Sequence, residues 1–142
     1  MTKLKLKDLS QAMQKIDICM MATHDANGAL ESRPMSNNRD VEFKGDTYFF
    51  ALEDSSVVRH LKKDPHVCLS YESDGDLYIS LSGEGYTNQN KEDFKEHWVP
   101  DLDKWFEDGI DTPGLTMIHV NGEHIHYWQG RSEGEIQLKD AS

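Results

Sequence analysis

Hydrophobic residues recur along this chain with two different spacings, and each change of spacing marks a new element. Over "DLSQAMQK" (residues 8–15), Leu9, Ala12 and Met13 fall at i, i+3 and i+4, which predicts a short amphipathic helix. "IDICMMAT" (16–23) is almost continuously apolar and predicts a mostly buried strand. "HDANGA" (24–29) carries turn chemistry, because Asn27 and Gly28 tolerate positive φ. "LESRPMSNN" (30–38) is the returning strand. It contains a proline, which cannot donate to a ladder and is confined to an edge, a strand start or a bulge. "DVEFKGDTYFFAL" (40–52) predicts a hairpin turning at Lys44, Gly45 and Asp46, with a β-prone aromatic second arm.

The spacing becomes helical in "DSSVVRHLKKDP" (54–65), where Val57, Val58 and Leu61 share a face. An Asp/Ser cap signal opens that helix and Asp64-Pro65 stops it. "HVCLSYES" (66–73) is a strand, "DGD" (74–76) a turn, and "LYISLSGEGYTN" (77–88) a long strand. In the last, Leu77, Ile79, Leu81 and Gly83 alternate with Tyr78, Ser80 and Ser82. Gly83 and Gly85 allow a bulge or a close backbone approach. "NKEDFKEHW" (90–98) predicts a helix with a capping box between Asn90 and Asp93. "DLDKWFEDG" (101–109) predicts a second short helix after Pro100, ended by Gly109. "LTMIHVNGEHIHYWQ" (115–129) predicts a hairpin around Asn121-Gly122, and the polar residues 131–142 read as a loose tail. The sum is mainly β, of the α+β class: one domain over residues 1–142 with its core in about 8–130. Six antiparallel strands close into a small barrel with peripheral helices. No βαβ rhythm is present, which argues against a parallel doubly wound sheet.

Charge narrows the partners. The 142 residues carry a formal net charge of −11, which repels phosphate backbones and anionic membranes. The one basic run, "TKLKLKD" (2–8), is short and lacks the apolar segment that would make it a signal peptide. No stretch approaches the ~20 apolar residues of a membrane span, so the expected location is the cytoplasm. Cys19 and Cys68 lie in apolar contexts without CxxC spacing and read as buried free thiols.

Several groups could carry chemistry. Across a two-residue turn at Asn121-Gly122, His119 would face His124, and His126 would share their face. Three imidazoles there could hold a metal with an open position, but the surrounding sequence supplies no obvious carboxylate second shell, so a plain polar hairpin face is the preferred reading and no metal site is expected. The amides and hydroxyls of Ser55 and Ser56 at a helix N-terminus suit either a phosphate or ordinary capping. Phe49, Phe50, Trp98, Trp105, Tyr127 and Trp128 could frame a planar ligand or fill the core. No nucleophile elbow, Walker loop or GxGxxG occurs; "SGEGYTN" is not one.

In order, the pieces "SRPM" (32–35), "FF" (49–50), "EDSS" (53–56), "DPHVCLSY" (64–71), "YISLSGEG" (78–85), "HWVPDLDKWFEDGIDTPGL" (97–115) and "HYWQG" (126–130) resemble a known family. It is the pyridoxamine 5′-phosphate oxidase-related FMN-binding split barrel, in particular its general stress protein subgroup, matched over roughly residues 8–130. The resemblance implies a split barrel that forms a homodimer with two flavin sites at the interface. It implies FMN, with FAD as the alternative. The stretch Ser32, Arg33, Pro34 and Met35 would run along the ring and ribityl phosphate, with Arg33 approaching the phosphate. Phe49, Phe50 and Ala51 would pass beside the ring, and Ser55 would sit at the phosphate. Trp128 and Gln129 would reach the flavin of the other subunit.

Two departures bear on activity. Ser56 and Val57 stand where the family commonly carries a basic pair. Each lost charge-assisted contact costs roughly 1.5–3 kcal/mol, which Arg33, Arg59 or Lys62 would have to offset. After "WQG" the chain offers Arg131 but no histidine, so the Arg-x-His substrate clamp of the true oxidases is missing. Vitamin B6 oxidase activity is therefore not implied. The resemblance points to a flavoprotein that either cycles its flavin against a nicotinamide donor or holds flavin in a stress-related, non-enzymatic role.

Overall fold

The alternation in the central strands builds the sheet. The computed structural model describes residues 3–39 and 41–138. Within them the chain runs through helix α1 (Leu6–Met13), strands β1 (Ile18–His24), β2 (Leu30–Ser36) and β3 (Asp46–Leu52), and helix α2 (Ser56–Lys63). Strands β4 (His66–Ser73) and β5 (Leu77–Asn88), helix α3 (Lys91–His97), 3-10 turns at Pro100–Lys104 and Gly109–Asp111, and strands β6 (Leu115–Gln129) and β7 (Ser132–Gln137) follow. All pairings are antiparallel, in the order β2-β1-β4-β5-β6-β3, with β7 added to β6. This is an α+β fold with a barrel-like sheet. Among the described residues no helix is long and apolar enough to cross a membrane.

The core is a ladder of facing apolar residues. Met21 pairs with Leu69, Leu69 with Leu81, and Leu81 with Ile125, so one buried row crosses β1, β4, β5 and β6. Each such side chain contributes about 1.5–3 kcal/mol on burial. Helix α1 adds Leu9 and Met13 to this core, and α2 adds Val57, Val58 and Leu61. The end of α1 is held by buried Asn37, whose Nδ2 donates to the carbonyls of Met13 (2.7 Å) and Ile16 (2.9 Å). Strand β2 pairs on one side only, with β1, and so its Pro34 is tolerated.

The expected hairpin over 115–129 does not form. Residues 115–129 are one strand, and Asn121-Gly122 is not a turn: Gly122 has no positive φ, and its N–H donates to the Gly45 carbonyl at 2.7 Å. The pairing with β5 continues through a bulge, where Gly83 faces Gly122 and Ser82 faces His124, leaving Glu123 as the extra residue. The close approach foreseen at Gly83 is real. A Cβ there would stand 2.2 Å from the Asn121 carbonyl oxygen. The first half of β6 pairs with β3 and the second half with β7.

Other expectations also need correction. Residues 41–45 form no strand, so the hairpin over 40–52 reduces to β3 alone; Asp40 lies outside the described residues. The expected helix 101–109 is instead a 3-10 turn over Pro100–Lys104 and a second one that opens at Gly109, whose φ is +57°. Asn90 caps α3 by accepting from the N–H groups of Glu92 and Asp93, but its own N–H goes to Asn88 rather than to Asp93. Residues 132–137 are β7 rather than loose tail, and residues 139–142 lie outside the described residues. Seven strands thus replace the expected six.

Both cysteines are free, but they differ in reactivity. Burial pushes the Cys19 thiol up to about 12, so almost no thiolate exists at neutral pH. Cys68 is half-buried, with its Sγ 3.3 Å from Ser80 Oγ. A thiol reagent at pH 8 is expected to modify one thiol in the folded protein and the second only after unfolding, and Cys68→Ser should abolish the first phase. Gly83→Ala is expected to lower stability by about 3 kcal/mol in urea unfolding, because backbone rather than a side chain blocks the new methyl.

Candidate functional site

The strands at the two ends of the ladder path, β2 and β3, are not bonded to each other, and a cleft lies between them. Pro34, Met35 and Ser36 of β2, with Ile18, form one wall. Phe50 of β3 and Leu102, Trp105 and Phe106 form the other. The second wall exists because the segment from α3 to the 3-10 turns lays its apolar residues on the face of β3 and β6. Phe50 meets Phe94 (5.7 Å) and Trp98 (5.0 Å) edge-on, and Trp98 meets Phe106 (6.0 Å). The Trp98 indole N–H donates to Asp103 (2.9 Å), and Arg39 grips Asp101 through Nε (2.9 Å) and Nη2 (2.7 Å). The aromatic wall is thereby fixed to the end of β2. The cleft is about 120 Å³, well below the ~300 Å³ or more of a site that encloses an organic ligand. One chain presents a slot rather than a closed pocket, and Trp105 is 56% exposed at its rim.

Met35, Arg33 and Glu31 follow at i, i−2 and i−4 along β2, so they share a face at about 7 Å intervals. Arg33 Nη1 donates to Thr23 Oγ1 (2.6 Å) and the Met21 carbonyl (3.3 Å), and Arg33 Nη2 to Glu31 Oε1 (2.6 Å). The same Glu31 oxygen accepts from Ser56 Oγ (2.5 Å) at the start of α2. Thr23 Oγ1 is also 2.8 Å from His60 Nδ1. The Ser56 and Arg33 bonds hold the Glu31 carboxyl below the usual carboxylate range. A cation and a hydroxyl thus converge on one anionic oxygen, in line with the aromatic cleft.

Of the residues singled out in the sequence, Pro34, Met35 and Phe50 meet in the cleft, and Arg33 and Ser56 meet through Glu31. Ser55 turns its hydroxyl back to the Leu52 carbonyl (2.6 Å). Phe49, Ala51 and Val57 are buried in the barrel core, and Ser32 is exposed on the other face of β2. Arg59 bonds the Asp54 carbonyl, and Lys62 lies with His60 and Lys63 beside the 25–27 turn. Trp128 and Gln129 sit on β6, four ladder steps or roughly 19 Å along the sheet from β2. There Trp128 stacks on His126 (4.3 Å).

Glu31, Thr23 and His60 were not foreseen. The i−2 relation of Glu31 to Arg33 was the readable signal, since it places carboxylate and guanidinium on one strand face. The expected meeting of His119, His124 and His126 fails with the hairpin. His119 meets Asp46 (2.8 Å), His124 meets Glu135 (2.9 Å), and His126 meets Glu133 (2.5 Å) and lies 3.7 Å from Glu135 as well.

A likeness to proteins of solved structure accompanies this geometry. A protein from Clostridium acetobutylicum related to general stress protein 26 superposes with a TM-score of 0.84 at 17% identity, covering 96% of each chain. A general stress FMN/FAD binding protein of Xanthomonas citri gives 0.75 at 22% identity over 89% of each chain. A heme binding protein of Mycobacterium smegmatis gives 0.75 at 12% identity, covering 98% of this chain and 60% of that one. At these identities the likeness establishes the fold. No curated protein matches the chain. The sequence model of the family described as "Pyridoxamine 5'-phosphate oxidase like" matches residues 5–139, nearly the whole chain, and the protein belongs to that family.

Proposed function

We propose that this chain is a flavin-binding protein, with FMN its ligand and FAD the alternative, acting as a homodimer. The observation that carries the reading is an apolar, aromatic-walled cleft at the end of β2, joined through Met35 to the strand face on which Arg33 and Ser56 hold an anionic oxygen. Pro34, Met35, Phe50, Trp105 and Phe106 would hold the ring edge, and Arg33 and Ser56 would hold the phosphate. A bound isoalloxazine supplies two-electron redox chemistry, with a nicotinamide cofactor as its electron donor, while the protein binds, orients and shields it.

Two features support a second subunit. The cleft is too small to enclose a ring system alone, and Ile18, Met20, Tyr78 and Trp128 leave large apolar surface on the outside of the sheet. Trp128 and Gln129 would reach the partner's flavin across such an interface.

Glu31 favours a second reading, a carrier with weak hold on the phosphate. Its carboxylate already satisfies Arg33 and Ser56, so an incoming phosphate must displace it against charge repulsion. The test is fluorescence titration of FMN and of riboflavin, which lacks the phosphate. Wild type is expected to bind both with similar affinity. Glu31→Gln is expected to tighten FMN by about tenfold and leave riboflavin unchanged. Failure of both variants to bind either flavin would sink the flavin reading. Tight FMN binding by wild type, unaffected by Glu31→Gln, would sink the role of Glu31 alone.

A further inference from the structure

We propose that His24, Asp64 and His66 form a binding site for a divalent transition-metal ion of the zinc class. Among the described residues this is the group of three His, Cys, Asp or Glu side chains whose ligand atoms all lie within 4.8 Å of one another. His24 Nε2 is 3.1 Å from Asp64 Oδ2, and His66 Nδ1 is 2.7 Å from Asp64 Oδ1. Tetrahedral ligands at zinc bond lengths stand roughly 3.4 Å apart, so side chains at these separations need little adjustment to share an ion.

The tautomer of His24 carries the argument. Its Nδ1 is 3.0 Å from the Asp25 carbonyl oxygen, which can only accept, so Nδ1 bears the proton. In the neutral ring Nε2 is then a bare lone pair. That lone pair faces the Asp64 carboxylate at 3.1 Å. Two lone pairs at this distance repel, and a divalent ion placed between them would be held by both. A carbonyl on the far nitrogen is also the usual outer partner of a metal-bound histidine. His66 is exposed, so its ring proton can move to the solvent-facing nitrogen without cost in buried contacts.

The three ligands sit on anchored backbone. Asp25 Oδ1 accepts from the N–H groups of Asn27 (2.8 Å) and Ala29 (3.0 Å), which fixes the turn after His24. Pro65 separates Asp64 from His66, and its carbonyl accepts from Gly85 N at 2.7 Å. Two histidines and one carboxylate leave a coordination position open. His24 and His66 also border an open cleft with Leu30, Val67, Cys68 and Glu123, so a water or small ligand has room to fill that position. The sequence signal was Asp-Pro-His, which sets two potential ligands two positions apart with a proline between them. The site is separate from the flavin reading and does not depend on it.

Untagged protein stripped with a chelator and titrated calorimetrically with ZnCl2 tests the proposal. One equivalent of Zn²⁺ is expected to bind. Asp64→Asn and His66→Ala should each weaken it by ~10-fold or more. A His124→Ala/His126→Ala variant should leave it unchanged. His66→Ala decides the matter if Asp64→Asn fails to fold, because His66 is exposed. Co²⁺ in place of Zn²⁺ should give visible d–d bands that are lost in the same variants. No Zn²⁺ uptake, or uptake lost only with His124 and His126, would overturn the site.

Discussion

The architecture depends on two backbones passing closer than side chains allow. Where β5 meets β6, Gly83 stands so near the Asn121 carbonyl that no Cβ fits. Gly122 is pressed in the same way between Leu81 and the Gly45 carbonyl. Because this crossing is open, β6 runs unbroken for 15 residues and serves as the spine of the sheet. One half of it positions β3 and therefore Phe50; the other half recruits β7. A turn at Asn121-Gly122 would have divided these roles between two strands and removed the fixed relation between the cleft and the rest of the barrel.

Much of the fold was legible in the chain. Strands β4 and β5 begin and end at the residues expected from strict alternation, and α2 buries the three residues its spacing named. The errors share a cause. Asn-Gly is a turn signal only when the flanking segments must reverse, and here a 12-residue neighbour supplied partners on both sides of it. Local chemistry was overruled by a long-range ladder. Residues 101–109 had helix-like composition, but the aromatic contacts of Trp98 and Phe106 and the Arg39–Asp101 pair hold the segment in tighter turns. The tail looked polar because residues 132–135 alternate small and charged side chains, leaving Ile136 as the one large apolar residue of β7. Its strand character comes from pairing with β6 rather than from apolar content.

The site was legible in part for the same reason. Residues adjacent in sequence on an edge strand, such as Pro34 and Met35, could be named from motif alone. Partnerships across elements could not. The meeting of Glu31 with Ser56 joins β2 to α2 across 25 positions, and Thr23 links Arg33 to His60 through a third element. The Glu31 partner of Arg33 lies two residues away on the same strand, but the Thr23 contact required the register of β1 against β2.

Pro34 has a consequence for how copies of this chain can meet. A sheet edge that bonds on one side only is a template for a further strand, and such edges join proteins indiscriminately. Here the ring of Pro34 interrupts the regular run of backbone groups on that edge, and Arg33 adds a guanidinium beside it. Self-association by strand addition is thereby discouraged at β2. Any meeting of two copies at this margin would rest on side chains rather than on the backbone of β2, and side chains, unlike bare backbone, can discriminate one partner from another.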